Sequence, residues 1–350
     1  PPPPPGRRPA AECEDDAAAR LRRWLAEDPS AERLRPRVSL LDGGAAASVA
    51  REECRHRAAE DRCAPGRGES TCTAARRGEL GAKQILNMER CLPLAEERGI
   101  DWLVCNLDVD EALVCGGPAG CLLKSAPEHL VELQLLNHEA VPEASDDCED
   151  DYFLRCTLFK RNPFVLDRSL PATRSGMEFW GRKAMEVAAH DEGGGKSPKP
   201  ADMYFAGYDQ GKAVVRVASC SALGLLPSGA HRWDVPDGAA AVVESGEACI
   251  LHYNNCQGAV GLAKKYGARA GERWNAIAFH AACQGLFVEG GDALSRALRS
   301  LALQGEEETE VEAQLAAGVC QRDRRVRDAC RAFAFLAGGS NGRGADGSAP

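Results

Sequence analysis

The sequence lacks any uninterrupted apolar run near the ~18 to 20 residues that a membrane-spanning helix needs. It has no C-x-x-C pair, which excludes the paired spacing of zinc-ribbon sites. It has no N-x-S/T acceptor for N-glycosylation and no internal repeat. Positive charge is also short: the 350 residues carry a formal net charge of −9. That balance argues against a nucleic-acid backbone as the main partner. An anionic substrate would need a metal ion or a local basic patch to be held. No methionine opens the chain, which begins PPPPPGRRPA. The expected reading is a fragment or processed form, with any signal or membrane anchor lying upstream.

What is present is a globular composition, 44% hydrophobic and 27% charged. The length suffices for one large or two medium domains. Sixteen cysteines stand in the chain. Three local pairs suggest disulfides in an oxidising lumen: Cys115 with Cys121, Cys148 with Cys156, and Cys249 with Cys256. The alternative is that cysteines in apolar runs, such as Cys105 and Cys156, are small hydrophobes. The cysteine count leans the compartment towards the secretory pathway, with the cytoplasm as the alternative.

The most informative stretch is Gly99 to Val114, GIDWLVCNLDVDEALV. The apolar run Trp102 to Cys105 leads through Leu107 to Asp108, Asp110 and Glu111. Strands buried on both faces read as continuous apolar runs, and ligands of open α/β sheets bind beyond the carboxyl ends of strands. Alternating acids at such an end repel one another unless a cation stands between them. Hard divalent ions take carboxylate oxygens. A helix-capping role would need only one acid.

In chain order, 1–12 read as a disordered proline and arginine arm. Helical composition follows over 13–35, with a short strand at 37–41 and the Asp42-Gly43-Gly44 turn after it. The helix over 82–98 carries Ile85, Met88 and Leu92 on one face. Pro93 predicts a kink or late start there, and Gly99 marks its end. Helix, turn and buried strand make an α/β unit, so the sheet is expected to be partly parallel. YFLRCTLFK (152–160) and KAVVRVA (212–218) read as strands, as does CILHY (249–253). The stretch from Leu262 to about Gly338 reads as mainly helical, and 339–350 as a disordered tail. DEGGGKSPKP mimics a phosphate loop but has His190 where the first glycine belongs and no strand before it.

Partners for the acids can be named. His231 and His252 sit at turn and strand ends, where either imidazole could join a carboxylate on a divalent ion. Glu139 is the first candidate for a base, with Glu143 or Asp209 as replacements. Lys212 and Arg216, four apart on one strand face, could hold a leaving diphosphate. Arg155 and Lys160 are the alternatives.

The segment KQILNMERCLPLAEERGIDWLVCNLDVDEALV resembles the core of nucleotide-sugar glycosyltransferases of the GT-A type, closest to family 2-like and family 92-like enzymes. Gln84, Asn87, Trp102, Asp108, Asp110 and Glu111 match that pattern. NHEAVPE, FLRCTLFK, GKAVVRV, PSGAHRW and ILHYNNC follow in the expected order, so the resemblance covers roughly residues 80 to 270. It departs at Ala112 and Asn106. At the family's early D-D-x-S segment only Asp42 stands.

The resemblance implies an α/β fold of the GT-A-like (Rossmann-like) kind. Its sheet would be mixed and mainly parallel, flanked by helices, in a catalytic domain over 13–270. A helical C-terminal region over 271–338 would follow. The implied activity is transfer of a sugar from a nucleotide (UDP-type) donor to a glycan or other hydroxyl acceptor, in the Golgi lumen. Mn²⁺ or Mg²⁺ would be the cofactor, with Asp108, Asp110, His231 and His252 as metal ligands. Asp108, Asp110, Asp42, Gln84, Lys212 and Arg216 would bind the donor, and Glu139 and Asp110 would be catalytic. Nucleic acid is not an expected partner, and a membrane is expected only through an upstream anchor. Two rival readings are a catalytically degenerate binding domain of the same kind and a haloacid-dehalogenase-like phosphatase. The latter also places D-x-D after an apolar strand, but Glu111-Ala112 stand where a small pair belongs.

Overall fold

The computed structural model describes Glu27 and residues 80–143, 152–188, 199–256 and 307–338. Expectations for the N-terminal arm, the 13–35 helix beyond Glu27, Asp42, the 191–198 loop and the boundary at 270 lie outside these residues. Residues 77–334 form one compact unit, and 1–76 with 335–350 form another. No helix among the described residues is long and apolar enough to cross a membrane.

The unit opens with α1 (Leu80–Glu97), which continues through Pro93. Met88 and Leu92 line its buried face with Ala95, as the spacing of the first two predicts, whereas Ile85, expected beside them, is half-buried. Gly99 ends the helix at φ +64, and the Ile100 amide reaches back to the Ala95 carbonyl at 2.9 Å. A left-handed residue just beyond a helix favours glycine.

Two sheets follow. The first has the order β1 (Trp102–Val104), β6 (Lys212–Arg216), β3 (Glu132–Leu135), β9 (Ala240–Val242). The second has the order β11 (Cys320–Arg322), β5 (Leu158–Lys160), β4 (Asn137–Ala140), β10 (Ala248–His252), β2 (Glu111–Cys115). A small ribbon pairs β7 (Pro227–Gly229) with β8 (Arg232–Trp233). The fold is thus α/β with mixed sheets. The expectation of mainly parallel pairing is corrected, because only β3 with β9 and β4 with β10 run parallel. Parallel neighbours need long crossovers, and the chain supplies these from 135 to 240 and from 140 to 248. All other pairs among the described residues are antiparallel.

The remaining helices are short apart from α4 and α7. They are α2 (Ala119–Ser125), α3 (Tyr152–Arg155), α4 (Pro171–Ala188), α5 (Val217–Leu223), α6 (Glu308–Ala316) and α7 (Arg325–Gly338). The C-terminal region is not purely helical. Its β11 strand edges the second sheet, with Cys320 opposite Lys160.

Period-2 alternation places the cores. On β6, Ala213 and Val215 face α1, where they meet Met88 and Leu92. Val214 faces the other way, into a core shared with Leu135, Ala248 and Ile250. Cys249, Leu251 and Tyr253 take the opposite face of β10 with Val114 and Phe159. A third core joins α4, through Met177 and Trp180, to Tyr204, Leu158 and Val319. Lys212 shares the parity of Val214, and His252 that of Ile250. Both therefore face the space between the two sheets.

Candidate functional site

The acidic segment is a turn rather than the end of a doubly buried strand. β1 is a half-buried strand that pairs with β6 among the described residues. The chain leaves it at Asn106, which holds φ +48. Asparagine tolerates this left-handed region better than most residues. Its Nδ2 donates to the carbonyls of Gln84 and Ala230, both at 3.1 Å. The turn exposes Leu107 and Val109, whereas Asp110 and Glu111 are buried. The two aspartates do not project side by side, as an extended segment would require.

Asp108 turns towards α1 and β6. Its Oδ1 accepts from Gln84 Nε2 at 3.1 Å, and its Oδ2 lies 2.9 Å from Lys212 Nζ. Lys212 is fully buried and also stands 3.1 Å from Glu111 Oε2. Glu111 Oε2 accepts the Asp108 backbone N–H at 2.8 Å, and Tyr208 Oη donates to Glu111 Oε1. Burial pushes the Glu111 carboxyl up to about 7, against the pull of Lys212. Lys212 is therefore in the site, but its charge is matched by two carboxylates.

Asp110 faces His252. Its Oδ1 is 3.9 Å from His252 Nε2, and its carbonyl accepts the Tyr253 N–H at 2.8 Å. His231 stacks on the Tyr208 ring at 4.3 Å between centroids, and His252 tilts against the same ring at 5.1 Å. Lys212 Nζ lies 5.1 Å from that ring's centre. Burial, with Lys212 nearby, pushes the His231 imidazole down to about 4. Its buried Nδ1 has no hydrogen-bond partner among the described residues.

Glu139 is opposite His252 in the parallel ladder and opposite Lys160 in the antiparallel one. Its carboxylate lies 3.3 Å from Lys160 Nζ and accepts the Ala206 amide at 2.9 Å and the Gly207 amide at 3.4 Å. A polar row thus crosses the whole second sheet. Glu111, His252, Glu139, Lys160 and Cys320 stand opposite one another in order. The segment 204–209 lies along it, held also by Asn137 Nδ2 to the Tyr208 carbonyl at 2.7 Å and Asn162 Nδ2 to the Asp209 carbonyl at 2.7 Å. Gly207 is needed there: a Cβ would come within 2.9 Å of Asn254 Nδ2 and 3.4 Å of His252 Cε1.

Several expected residues are placed elsewhere. Arg216 donates to the carbonyls of Leu130, Ala126 and Pro127 and stacks 4.3 Å over Trp102. Four residues along a strand share a face but lie roughly 13 Å apart. Glu143 accepts from the Thr157 and Leu158 amides and pairs with Arg322 at 2.6 Å. Asp42 lies outside the described residues. The structure brings together Gln84, Asp108, Asp110, Lys212, His231 and His252, with Glu139 beside His252 in the ladder. One residue given no role from the sequence stands among them, Tyr208, and Glu111, expected as one of the cation-site acids, instead accepts its hydroxyl and pairs with Lys212. The signal for Tyr208 was an aromatic next to a glycine, between the apolar Tyr204-Phe205-Ala206 and strand β6.

Among the described residues, no group of three or more His, Cys, Asp or Glu side chains is arranged to hold a metal ion. One donor pair is present, Asp110 with His252, and both His231 and His252 rest against the Tyr208 ring. The Asp110–His252 separation is within twice a metal–ligand bond of about 2.1 Å. The orphaned nitrogen of His231, kept neutral by burial, is a second donor of the right kind. Of these, Asp110 and His252 alone stand close enough to share a divalent ion, whose remaining ligands would come from substrate and water.

No family model matches the chain, and no solved structure matches it. The chain is similar to two proteins of Arabidopsis thaliana, both described as glycosyltransferase-like. One is 31% identical over 179 residues, which cover 50% of this chain and 34% of the relative. The other is 29% identical over 179 residues, covering 50% of this chain and 30% of the relative. The aligned part therefore spans about a third of the length of these curated relatives.

Proposed function

We propose that the protein is a glycosyltransferase that moves a sugar from a nucleotide-diphosphate donor of UDP type to a hydroxyl of a glycan acceptor. The reading rests on one observation above the rest: the turn that buries Asp110 and sets it 3.9 Å from His252. Similarity to glycosyltransferase-like proteins supports it.

Asp110 and His252 would hold Mn²⁺ or Mg²⁺, with His231 as the further nitrogen donor. When bound, such an ion neutralises charge developing on a leaving diphosphate. The chain's own residues do the rest. Lys212 and Gln84 fix Asp108, leaving its part-exposed carboxylate to orient a donor ribose hydroxyl. Tyr208 holds both imidazoles in place through its ring and Glu111 through its hydroxyl. Glu139 is occupied by Lys160 and two amides, so its role is to position 206–207 rather than to take a proton. Of the three candidate bases, Asp209 keeps a half-buried carboxylate with no ion pair among the described residues, and we assign it the acceptor proton. The GT-A architecture, the Golgi lumen and an upstream membrane anchor belong to this proposal as well.

A second reading is a domain that binds sugar nucleotide or glycan without catalysis. It is favoured by the match of Lys212 to both Asp108 and Glu111, which leaves no net cation for a diphosphate. A panel of UDP-sugars with and without Mn²⁺, read by thermal shift, tests the proposal. Ligand that binds only the native state at 100 times its Kd stabilises by about 2.7 kcal/mol. A Mn²⁺-dependent rise followed by sugar transfer supports catalysis, and a rise without transfer supports the binding domain. Hydrolysis of an aryl phosphate would instead support the phosphatase reading.

A further inference from the structure

The acidic segment fastens the β7–β8 hairpin at two consecutive residues. Cys105 holds its base. Trp233 Nε1 donates to Cys105 Sγ at 3.1 Å, while the Trp233 amide donates to Glu132 Oε2 at 2.8 Å. Trp233 is buried, so this end is anchored in the core that α1 shares with β6. Cys105 is a free thiol, as are Cys115, Cys121, Cys249 and Cys256, so neither the Cys115–Cys121 nor the Cys249–Cys256 bridge suggested by spacing is formed. Asn106 holds the tip. The hairpin turns at Ala230 and His231, and the Ala230 carbonyl accepts from Asn106 Nδ2 at 3.1 Å. The other carbonyl on that nitrogen is Gln84's, inside α1, also at 3.1 Å. A carboxamide nitrogen carries two hydrogens, and here each serves a different element, one 22 and the other 124 positions away in the chain.

The residue type at 106 is constrained twice. Its backbone is left-handed, at φ +48, a region that asparagine, aspartate and glycine tolerate and bulky or branched residues do not. Of these three, glycine has no side-chain donor and an ionised aspartate only acceptors. Gln84 is gripped on both sides as well, its carbonyl by Asn106 and its Nε2 by Asp108 Oδ1 at 3.1 Å. The hairpin depends on such ties. Its strands have three and two residues, with a register shift between them, and a two-stranded hairpin is marginal by itself.

We propose that Asn106 is a positioning residue of the nucleotide-binding half of the site: it latches the hairpin tip to the acidic turn, so that the His231 ring lies on Tyr208 and Asp108 stays against Gln84. It acts through Ala230 and Gln84. His231 follows Ala230 directly, and its ring stacks on Tyr208 at 4.3 Å with 23° between the planes. A tip released from Asn106 loses the tie that sets this stack. Asp110 is held separately, by the Tyr253 amide on its carbonyl at 2.8 Å. The two halves of the site therefore respond differently to the loss of Asn106. The effect on a nucleotide rests on the function proposed above, and the effect on His231 rests on the geometry alone.

Two variants of the full chain test this. Asn106→Asp keeps the side-chain shape but turns two donors into acceptors facing carbonyls, and Asn106→Gly keeps the left-handed backbone alone. The first readout needs no ligand: nuclear Overhauser contacts between the His231 and Tyr208 rings, expected in the wild type and lost in both variants. The second is titration calorimetry with Mn²⁺ alone and with UDP in saturating Mn²⁺. Mn²⁺ alone should bind the variants as it binds the wild type, and UDP about 10-fold more weakly, the scale of one or two lost hydrogen bonds. A merely structural asparagine would lower the urea midpoint and leave both readouts unchanged. Ring contacts that persist in both variants overturn the proposal, as does UDP affinity that falls no further than that for Mn²⁺. If UDP fails to bind the wild type, the transferase reading falls, and the ring contacts still decide the role of Asn106. If neither variant folds, the wild type decides: Overhauser contacts from the Asn106 Nδ2 protons to both Gln84 and Ala230 support the latch, and their absence overturns it.

Discussion

Lys212 Nζ lies 2.9 Å from Asp108 Oδ2, although the lysine is fully buried and the aspartate side chain is 36% exposed. A buried ammonium of this kind is held by its partners, since an unpaired ion in the interior is strongly unfavourable. Lys212→Met leaves Glu111 and Asp108 without their counter-charge. The expected cost is about 3 to 5 kcal/mol of stability, read from urea midpoints. Lys212→Met with Glu111→Gln should recover part of that loss, because the second change removes the buried charge that the first strands.

The same carboxylate sets a pH dependence. Burial pushes Glu111 up to about 7 from an ordinary 4.5, so between these values the native state binds the extra proton. Its contribution to stability is full below pH 4.5 and is lost as pH rises through 7. His138 and His231, both pushed down to about 4 by burial, act in the opposite sense. Their contribution is present above pH 6.5 and is lost as pH falls through 4. Glu111→Gln should therefore flatten the decline in stability from pH 4.5 to 7 and leave the acid limb intact. Urea titrations at a series of pH values measure it.

Removing a donor should weaken the ion without unfolding the chain. Asp110→Asn is expected to reduce Mn²⁺ affinity by roughly 10- to 100-fold, the scale seen when a ligand shell is disturbed, with the urea midpoint nearly unchanged. Arg216→Ala is the control. It loses the contact over Trp102, about 0.5 to 1 kcal/mol, and its bonds to the Leu130, Ala126 and Pro127 carbonyls, about 0.5 to 1.5 kcal/mol each, and leaves Mn²⁺ affinity unchanged. Isothermal titration with Mn²⁺ alone distinguishes the two variants.

Gly207→Ala tests the close packing of the 204–209 segment on the site. The new methyl meets Asn254 Nδ2 at 2.9 Å and His252 Cε1 at 3.4 Å. The expected outcome is a loss of about 1 to 3 kcal/mol from overpacking together with weaker Mn²⁺ binding than wild type. Ala206→Gly, which introduces no clash, should leave Mn²⁺ binding intact.

Much of this site was legible as residue chemistry and little of it as geometry. Asp108, Asp110, Lys212, His231 and His252 announce themselves by type and by position near strand ends, and the structure gathers them. Arg216 was misplaced because sharing a strand face says nothing about distance along it. The strand expected over 152–160 begins as the helical turn Tyr152–Arg155 and becomes strand only at Leu158. Alternation in a nine-residue window cannot show that the Cys156 amide closes a turn on Tyr152. Partly parallel pairing was expected from one helix–strand unit and mainly parallel pairing from the family resemblance, yet β1 meets β6 antiparallel, a long-range choice that local pattern does not encode. Tyr208 escaped notice because its role depends on Glu139, Asn137 and Asn162 holding the segment that carries it.

The polar row across the second sheet has a further consequence, for the order in which the protein can acquire its site. Its five residues come from positions 111, 252, 139, 160 and 320, and no two neighbours in the row are neighbours in the chain. Contacts of such long sequence separation form late, because loop closure must precede them. Until β10 inserts between β4 and β2, His252 has neither Glu139 nor Glu111 beside it, and Asp110 has no imidazole to face. The site is therefore an all-or-none property of the assembled sheet, and a partly folded chain possesses none of it.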